Sequence, residues 1–285
     1  MKKINLIAFL ILTFSVGAFA QISFPRESQR QEVIQLVGDT RVALVYSRPN
    51  VKEREIWGKI VPYGEVWRTG ANENTTFETS GDLKIAGQIL PKGKYGLHTI
   101  PGKDEWTVIF NKVNNEWGSY KYDQKQDALR ILVKADKGDN LETMRITFEN
   151  VKINSAEVVI AWEKIRVPFM IDAGDVVGRT LADIRNQLAN VKPDDFRTPA
   201  QAAGWVLSSK MTANYEEALK WIDVSIKAKE NFGNMNTKAR LLAGLNRKDE
   251  AIAVGERAVQ LGKAATPAAD TAELEKMIAE WKTAK

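Results

Sequence analysis

Between Glu32 and Ile171 apolar residues recur at every second position, and beyond Asp172 that rhythm stops. Trp106, Val108 and Phe110 alternate with Thr107, Ile109 and Asn111. Leu129, Ile131 and Val133 alternate with Ala128, Arg130 and Leu132, and Met144, Ile146 and Phe148 with Arg145, Thr147 and Glu149. Val158, Ile160 and Trp162 open a last series that continues through Ile165, Val167, Phe169 and Ile171. Successive strand side chains point to opposite faces, so this pattern predicts half-buried strands. Turn formers interrupt it at Pro62-Tyr63-Gly64, Ser80-Gly81-Asp82, Pro91-Lys92-Gly93, Pro101-Gly102 and Lys137-Gly138-Asp139. Short strands separated by such signals predict an all-β antiparallel sandwich or barrel over residues 21–172.

Residues 173–285 read as a second, all-α domain rich in Ala, Lys, Glu and Leu. Ala173 to Leu181, with its two glycines, reads as the joint, and Pro193 to Pro199 as a loop ahead of a helix containing Trp205. Asn214-Tyr215-Glu216-Glu217-Ala218-Leu219 recurs as Arg247-Lys248-Asp249-Glu250-Ala251-Ile252, an offset of 33 residues. That period is close to the ~34 residues of tetratricopeptide helix pairs. A small Ala early in the second helix lets it pack closely on its partner, with Tyr215, Leu219, Ile222, Ile252 and Ala258 facing inward. The segment resembles tetratricopeptide repeats, although Lys263 stands where the repeat-ending Pro is usual. A plain bundle of helical hairpins is the other reading. Glu273 to Trp281 reads as a last amphipathic helix.

Lys2 and Lys3, the apolar run Ile4 to Val16 and Ala18-Phe19-Ala20 read as a signal peptide over residues 1–20, cleaved before Gln21. The run falls short of the roughly 20 residues that span a bilayer. The expectation is a periplasmic or secreted protein with no transmembrane segment after cleavage. No cysteine is present for a thioether-linked lipid or a disulfide. Residues 21–172 carry 22 basic and 21 acidic side chains and residues 173–285 carry 17 and 15. Charge this evenly spread argues against nucleic acid as a partner.

Ile56 to Thr76 holds two Trp, three Gly, a Pro-Tyr-Gly turn, an Arg and two Asn, more than strand-making requires. Val61-Pro62-Tyr63-Gly64 suits a type I turn, and Gly70-Ala71-Asn72 reads as the end of a strand begun near Glu65. Arg48, Arg54, Arg68, Asn72, Asn74 and Asn111, with Trp57, Trp67 and Trp117, are candidates for a polar pocket with aromatic walls. Planar Arg and Asn groups make paired hydrogen bonds, and Trp faces stack on sugar or peptide planes. The same residues could serve structure alone: Trp67 as core, Arg68 on carbonyls freed at a bulge, Asn72 holding its own turn.

Ser47-Arg48-Pro49, Ile56-Trp57-Gly58, Val61-Pro62-Tyr63-Gly64, Val66-Trp67-Arg68-Thr69-Gly70-Ala71-Asn72-Glu73 and Gly93-Lys94-Tyr95 resemble the DUF2911 domain. Trp106-Thr107-Val108-Ile109-Phe110-Asn111-Lys112 and Trp117-Gly118 extend the likeness, which covers roughly residues 22–170. The resemblance implies a β-rich fold and an exported protein of the Bacteroidota, and implies no activity.

One histidine and no cysteine make a zinc or copper centre improbable, and no other cofactor is indicated. His98, opposite Tyr95 and Leu97, reads as a solvated strand residue. Gly87 to Lys94 departs from a phosphate loop in spacing and has Tyr95 where Ser or Thr would bind magnesium, so it reads as a hairpin turn. Asp136 to Asn140 reads as a turn rather than a calcium loop. The expectation is a non-enzymatic binding or adaptor protein for an unknown protein or glycan. The alternative is a carbohydrate-binding or glycoside-hydrolysing sandwich using Glu65 and Glu73, since glycosidases need two acids and aromatic walls.

Overall fold

The computed structural model describes residues 24–283; the expected signal segment, residues 1–20, lies outside them. The chain forms two compact units whose sequence boundary falls between Gly174 and Asp175.

In the first unit, strands β1 (Gln29–Val37), β2 (Thr40–Arg48), β3 (Ala71–Thr79), β6 (Gly93–Ile100), β7 (Glu105–Asn111) and β8 (Asp127–Lys134) form a six-stranded sheet in the order β1-β2-β3-β6-β7-β8. Strands β4 (Leu83–Ile85), β5 (Gln88–Leu90), β9 (Asp136–Glu149) and β10 (Ser155–Asp172) form a four-stranded sheet ordered β5-β4-β10-β9. Every pairing is antiparallel. The expected period sets one face of the large sheet inward: Leu44, Phe77, Leu97, Phe110 and Ile131 are buried. Phe110 meets Phe77 edge to face at 5.1 Å and reaches Phe169 of the small sheet at 6.0 Å. The two sheets therefore share one core, as in a sandwich.

A bulge at Glu163, whose φ is +51°, explains why the last apolar series changes from even to odd numbers. One inserted residue flips the side chains that follow, so Trp162 and Val167 are both buried. The expected turn at Asp136–Asn140 is instead the start of β9, where Lys137 pairs with Ile165. Gly138 fits there because a β-carbon would lie 2.7 Å from Arg166 Cγ. The chain passes from one sheet to the other at Ala135, whose amide bonds the Asp104 carbonyl. Between β4 and β5, Ala86 and Gly87 both have positive φ, as a two-residue hairpin turn demands.

Among its described residues the second unit forms six α-helices: α1 (Val176–Ala189), α2 (Arg197–Ser208), α3 (Tyr215–Ala228), α4 (Phe232–Gly244), α5 (Lys248–Ala264) and α6 (Ala272–Thr283). The joint expected to run to Leu181 is shorter. Asp175 accepts a hydrogen bond from the Gly178 amide and starts α1 immediately. The 33-residue offset places Ala218 in α3 and Ala251 in α5, both fully buried. Tyr215 lies against Gly244 at the end of α4, where a β-carbon would come within 2.4 Å of its ring. Helix α6 buries Leu274 and Ile278, as its amphipathic pattern anticipates. Among the described residues no helix is long and apolar enough to cross a membrane.

Tyr46 and Arg48 of β2 both bond the backbone of β9, so the two sheets are also tied by hydrogen bonds. Tyr46 of β2 donates to Gln31 Oε1 at 2.7 Å and accepts from the Ile146 amide of β9 at 2.7 Å. Tyr46→Phe leaves that amide buried and unpaired. The expected loss is about 1–3 kcal/mol, read as a lower urea midpoint at unchanged slope.

Candidate functional site

The unusual stretch is part of the long connection from β2 to β3, residues 49–70, which enters the end of the sandwich. Ile56 and Val61 are buried there. Trp57 packs edge to face on Trp106 of β7 at 5.1 Å and on Trp162 of β10 at 5.8 Å. Trp67 lies nearly parallel to Trp162, with ring centres 5.9 Å apart, and its Nε1 donates to the Gly70 carbonyl at 3.1 Å. Trp57 Nε1 is buried without a partner.

The strand expected to begin near Glu65 does not form. Trp67 exchanges two backbone hydrogen bonds with Thr99, and β3 starts only at Ala71, opposite Ser47. Between them Thr69 has φ +55° and Asn72 φ +61°. A β-branched residue in the left-handed region is strained, by about 1–2 kcal/mol. Surrounding bonds hold it: the Thr69 carbonyl accepts from Thr75 Oγ1 at 2.7 Å, and Thr69 Oγ1 donates to Thr99 Oγ1 at 3.0 Å. Gly70 is required because a β-carbon would sit 3.0 Å from the Ser47 carbonyl oxygen. In the Pro-Tyr-Gly turn, the Gly64 amide bonds the Pro101 carbonyl rather than that of Val61.

A second strained corner lies earlier in the connection. Arg54 N donates to the Val51 carbonyl across Lys52 and Glu53, whose φ values are +50° and +56°. Both central residues of such a turn are normally Gly, Asn or Asp. The turn sends Lys52 to Glu27, whose carboxyl the ammonium holds below its ordinary range. Arg54 folds back to donate to the carbonyls of Asn50 and Val51.

These two corners border a hollow of about 240 Å³ lined by Glu27, Ser28, Pro49, Asn50, Lys52, Arg54, Ile60, Val61, Trp67, Arg68, Gly70, Ala71 and Trp162. Arg68 is its distinctive group. Its Nε is buried without a partner, one terminal nitrogen lies beside Gly118, 3.3 Å from where a β-carbon there would sit, and no hydrogen bond or ion pair joins the guanidinium to a described residue.

Of the nine residues singled out from sequence, Arg54, Trp67 and Arg68 line this hollow. Arg48 donates from Nε to the Met144 carbonyl at 2.8 Å, and Trp57 belongs to the aromatic cluster. Asn72 donates to the Ser28 carbonyl at 3.4 Å. Asn74 and Asn111 lie on the outer face of the large sheet, and Trp117 is exposed beside Arg26. Glu27, Lys52 and Trp162 carry no sequence signal for this site; their part in it comes from tertiary placement.

The outer face contains the main departure from expectation. His98 points away from Tyr95 and Leu97, as the alternation requires, yet it is buried. Residues 112–126 fold over it: the Asn74 amide bonds the Glu116 carbonyl, and the Gly118 amide bonds that of Asn72. Asn74 Nδ2 is 3.1 Å from His98 Nε2, while Asn111 Nδ2 and Tyr122 Oη donate to Asp127 at 2.7 and 2.6 Å. The free space there is about 10 Å³, too small for a ligand. Burial lowers the His98 pKa to about 4, against the opposing pull of Asp127. Burial and the bond to Asp127 raise that of Tyr122.

Glu73 is ion-paired with Arg26 at 2.5 Å, which holds its carboxyl below the ordinary value. Glu65 is exposed and not part of the hollow. Among the described residues no group of three or more His, Asp or Glu could hold a metal ion.

Two antiparallel sheets closed at one end by a tryptophan-bearing crossover define the first unit as a β-sandwich with a hollow at its rim. A family model described as a protein of unknown function, DUF2911, matches residues 28–171, half of the chain. The chain belongs to that family. No curated protein and no solved structure matches it.

The lowered His98 pKa makes stability depend on pH. The unfolded chain takes up a proton near pH 6.5 and the folded chain only near 4. This contribution is complete above pH 6.5 and is lost as pH falls toward 4, a change of about 3 kcal/mol. Urea unfolding at stepped pH should show that decline, and His98→Gln should flatten it.

Proposed function

We propose that this chain is an exported, non-enzymatic binding protein whose β-sandwich takes a ligand in the hollow beside Trp67 and Arg68. Its helical unit, with paired helices at a 33-residue period resembling tetratricopeptide repeats, acts as an adaptor for a protein partner. The observation that carries the reading is Arg68. It is a cation at the edge of a hollow, beside a corner built from left-handed residues, with no hydrogen bond or ion pair to a described residue. Such strain and unspent charge concentrate where a protein meets a ligand.

The glycoside-hydrolysing alternative has less to support it. Glu73 is paired with Arg26 and kept ionised, which does not suit a proton donor, and Glu65 is exposed and outside the hollow. Trp117 and Tyr120, 54% and 84% exposed, lie outside the hollow and offer a glycan a separate surface, since exposed aromatic faces stack on sugar rings.

Arg68→Ala tests the binding reading on a glycan array and in a ligand-observed NMR screen of small metabolites. The wild-type chain should give at least one signal that the variant loses, with the melting temperature within about 4 °C, the shift expected for roughly 1 kcal/mol. Unfolding of the variant, or a full set of signals retained by it, removes the hollow as the binding site.

A further inference from the structure

The charges around the hollow restrict what it can hold. Its lining carries three cations, Lys52, Arg54 and Arg68, against one carboxylate, Glu27. Glu27 is taken by Lys52. Arg54 spends Nε and one terminal nitrogen on carbonyls, which neutralise no charge. The lining thus keeps an excess of two cations over carboxylates, with Glu27 feeling Arg54 as well as Lys52, and no hydrogen bond or ion pair to a described residue engages Arg68. Beside them lie the indoles of Trp67 and Trp162 and the side chain of Ile60, which is 50% exposed.

We infer that the hollow recognises a carboxylate borne on a small flat or apolar body, with Arg68 as the group that binds the carboxylate. This rests on the binding role proposed above and names its ligand class. The guanidinium fork matches the two oxygens of a carboxylate, and charge-assisted bonds of this kind strengthen where water is excluded. Trp67 and Trp162 supply the apolar wall for the body of the ligand. At about 240 Å³ the space is below the range of about 300–1,000 Å³ for drug-sized ligands. It admits one small molecule, or the acidic end of a larger one. Arg54, already anchored on Asn50 and Val51, adds field at the rim rather than a second fork.

Calorimetric titration of the whole chain with matched probes tests this. Benzoate is paired with benzamide, and glucuronate with glucose, so each pair differs in charge while keeping the ring; acetate is the carboxylate alone. The expected result is saturable binding of benzoate or glucuronate, at least about tenfold tighter than the neutral partner and weaker as salt rises. Arg68→Gln should lose that margin and Arg54→Gln only part of it. A melting temperature unchanged to within about 4 °C would show that the fold is intact. Neutral probes binding as well as their charged partners, or carboxylate binding unaffected by Arg68→Gln, overturns the inference. If neither acid binds while a neutral compound of the metabolite screen binds through Arg68, the charge assignment falls and the binding role stands. If Arg68→Gln alters no ligand at all, both fall.

Discussion

Four indole rings hold the first unit together at the end where its two sheets would otherwise gape. Trp106 comes from the large sheet and Trp162 from the small one, while Trp57 and Trp67 are carried in by the connection between β2 and β3. Aromatic pairs at 5–6 Å add roughly 0.5–1.5 kcal/mol each beyond the area they bury. The cluster therefore fixes a connection that has little regular hydrogen bonding of its own. Once that connection is fixed, Lys52, Arg54 and Arg68 can be presented at a rim. Without it they would sit on a loop with no defined geometry.

The same anchoring explains how strain is tolerated. Left-handed Lys52, Glu53, Thr69 and Asn72 all lie within or just beyond this connection. Lys52, Thr69 and Asn72 are each held by hydrogen bonds with other segments, Lys52 with Glu142, Thr69 with Thr75 and Thr99, and Asn72 with Ser28 and Gly118. The cost is shared across a packed core, which is the condition under which such backbones persist. Arg68 differs from Asn111. Both are polar groups on a β framework, but Asn111 is saturated by Asp123, Asp127 and Val113. Asn111 is a structural brace, and Arg68 has no hydrogen-bonding partner among the described residues.

Much of the fold was legible because burial imposes a period. Trp106, Val108 and Phe110 could only belong to one inward face, and Ala218 and Ala251 to equivalent helical positions. The shift from even to odd numbers after Trp162 comes from the bulge at Glu163, which an unbroken alternating series did not include. The failures occurred where a partner distant in sequence took over. Asp136–Asn140 has turn composition, but β10 supplies a ladder for it. His98 alternates like a solvated residue, but residues 112–126 cover it. At the rim, aromatic and Arg residues marked the neighbourhood; the turn that brings in Lys52 lacks the Gly or Asn that announces such geometry.

The cover over His98 also gives this imidazole a kinetic meaning. Its ring is covered by residues 112–126, among them Tyr122, whose ring centre is 5.4 Å away. A solvent proton can reach Nδ1 only when that flap lifts. The rate at which the ring exchanges protons is then a clock for local opening of the outer face, separate from global unfolding.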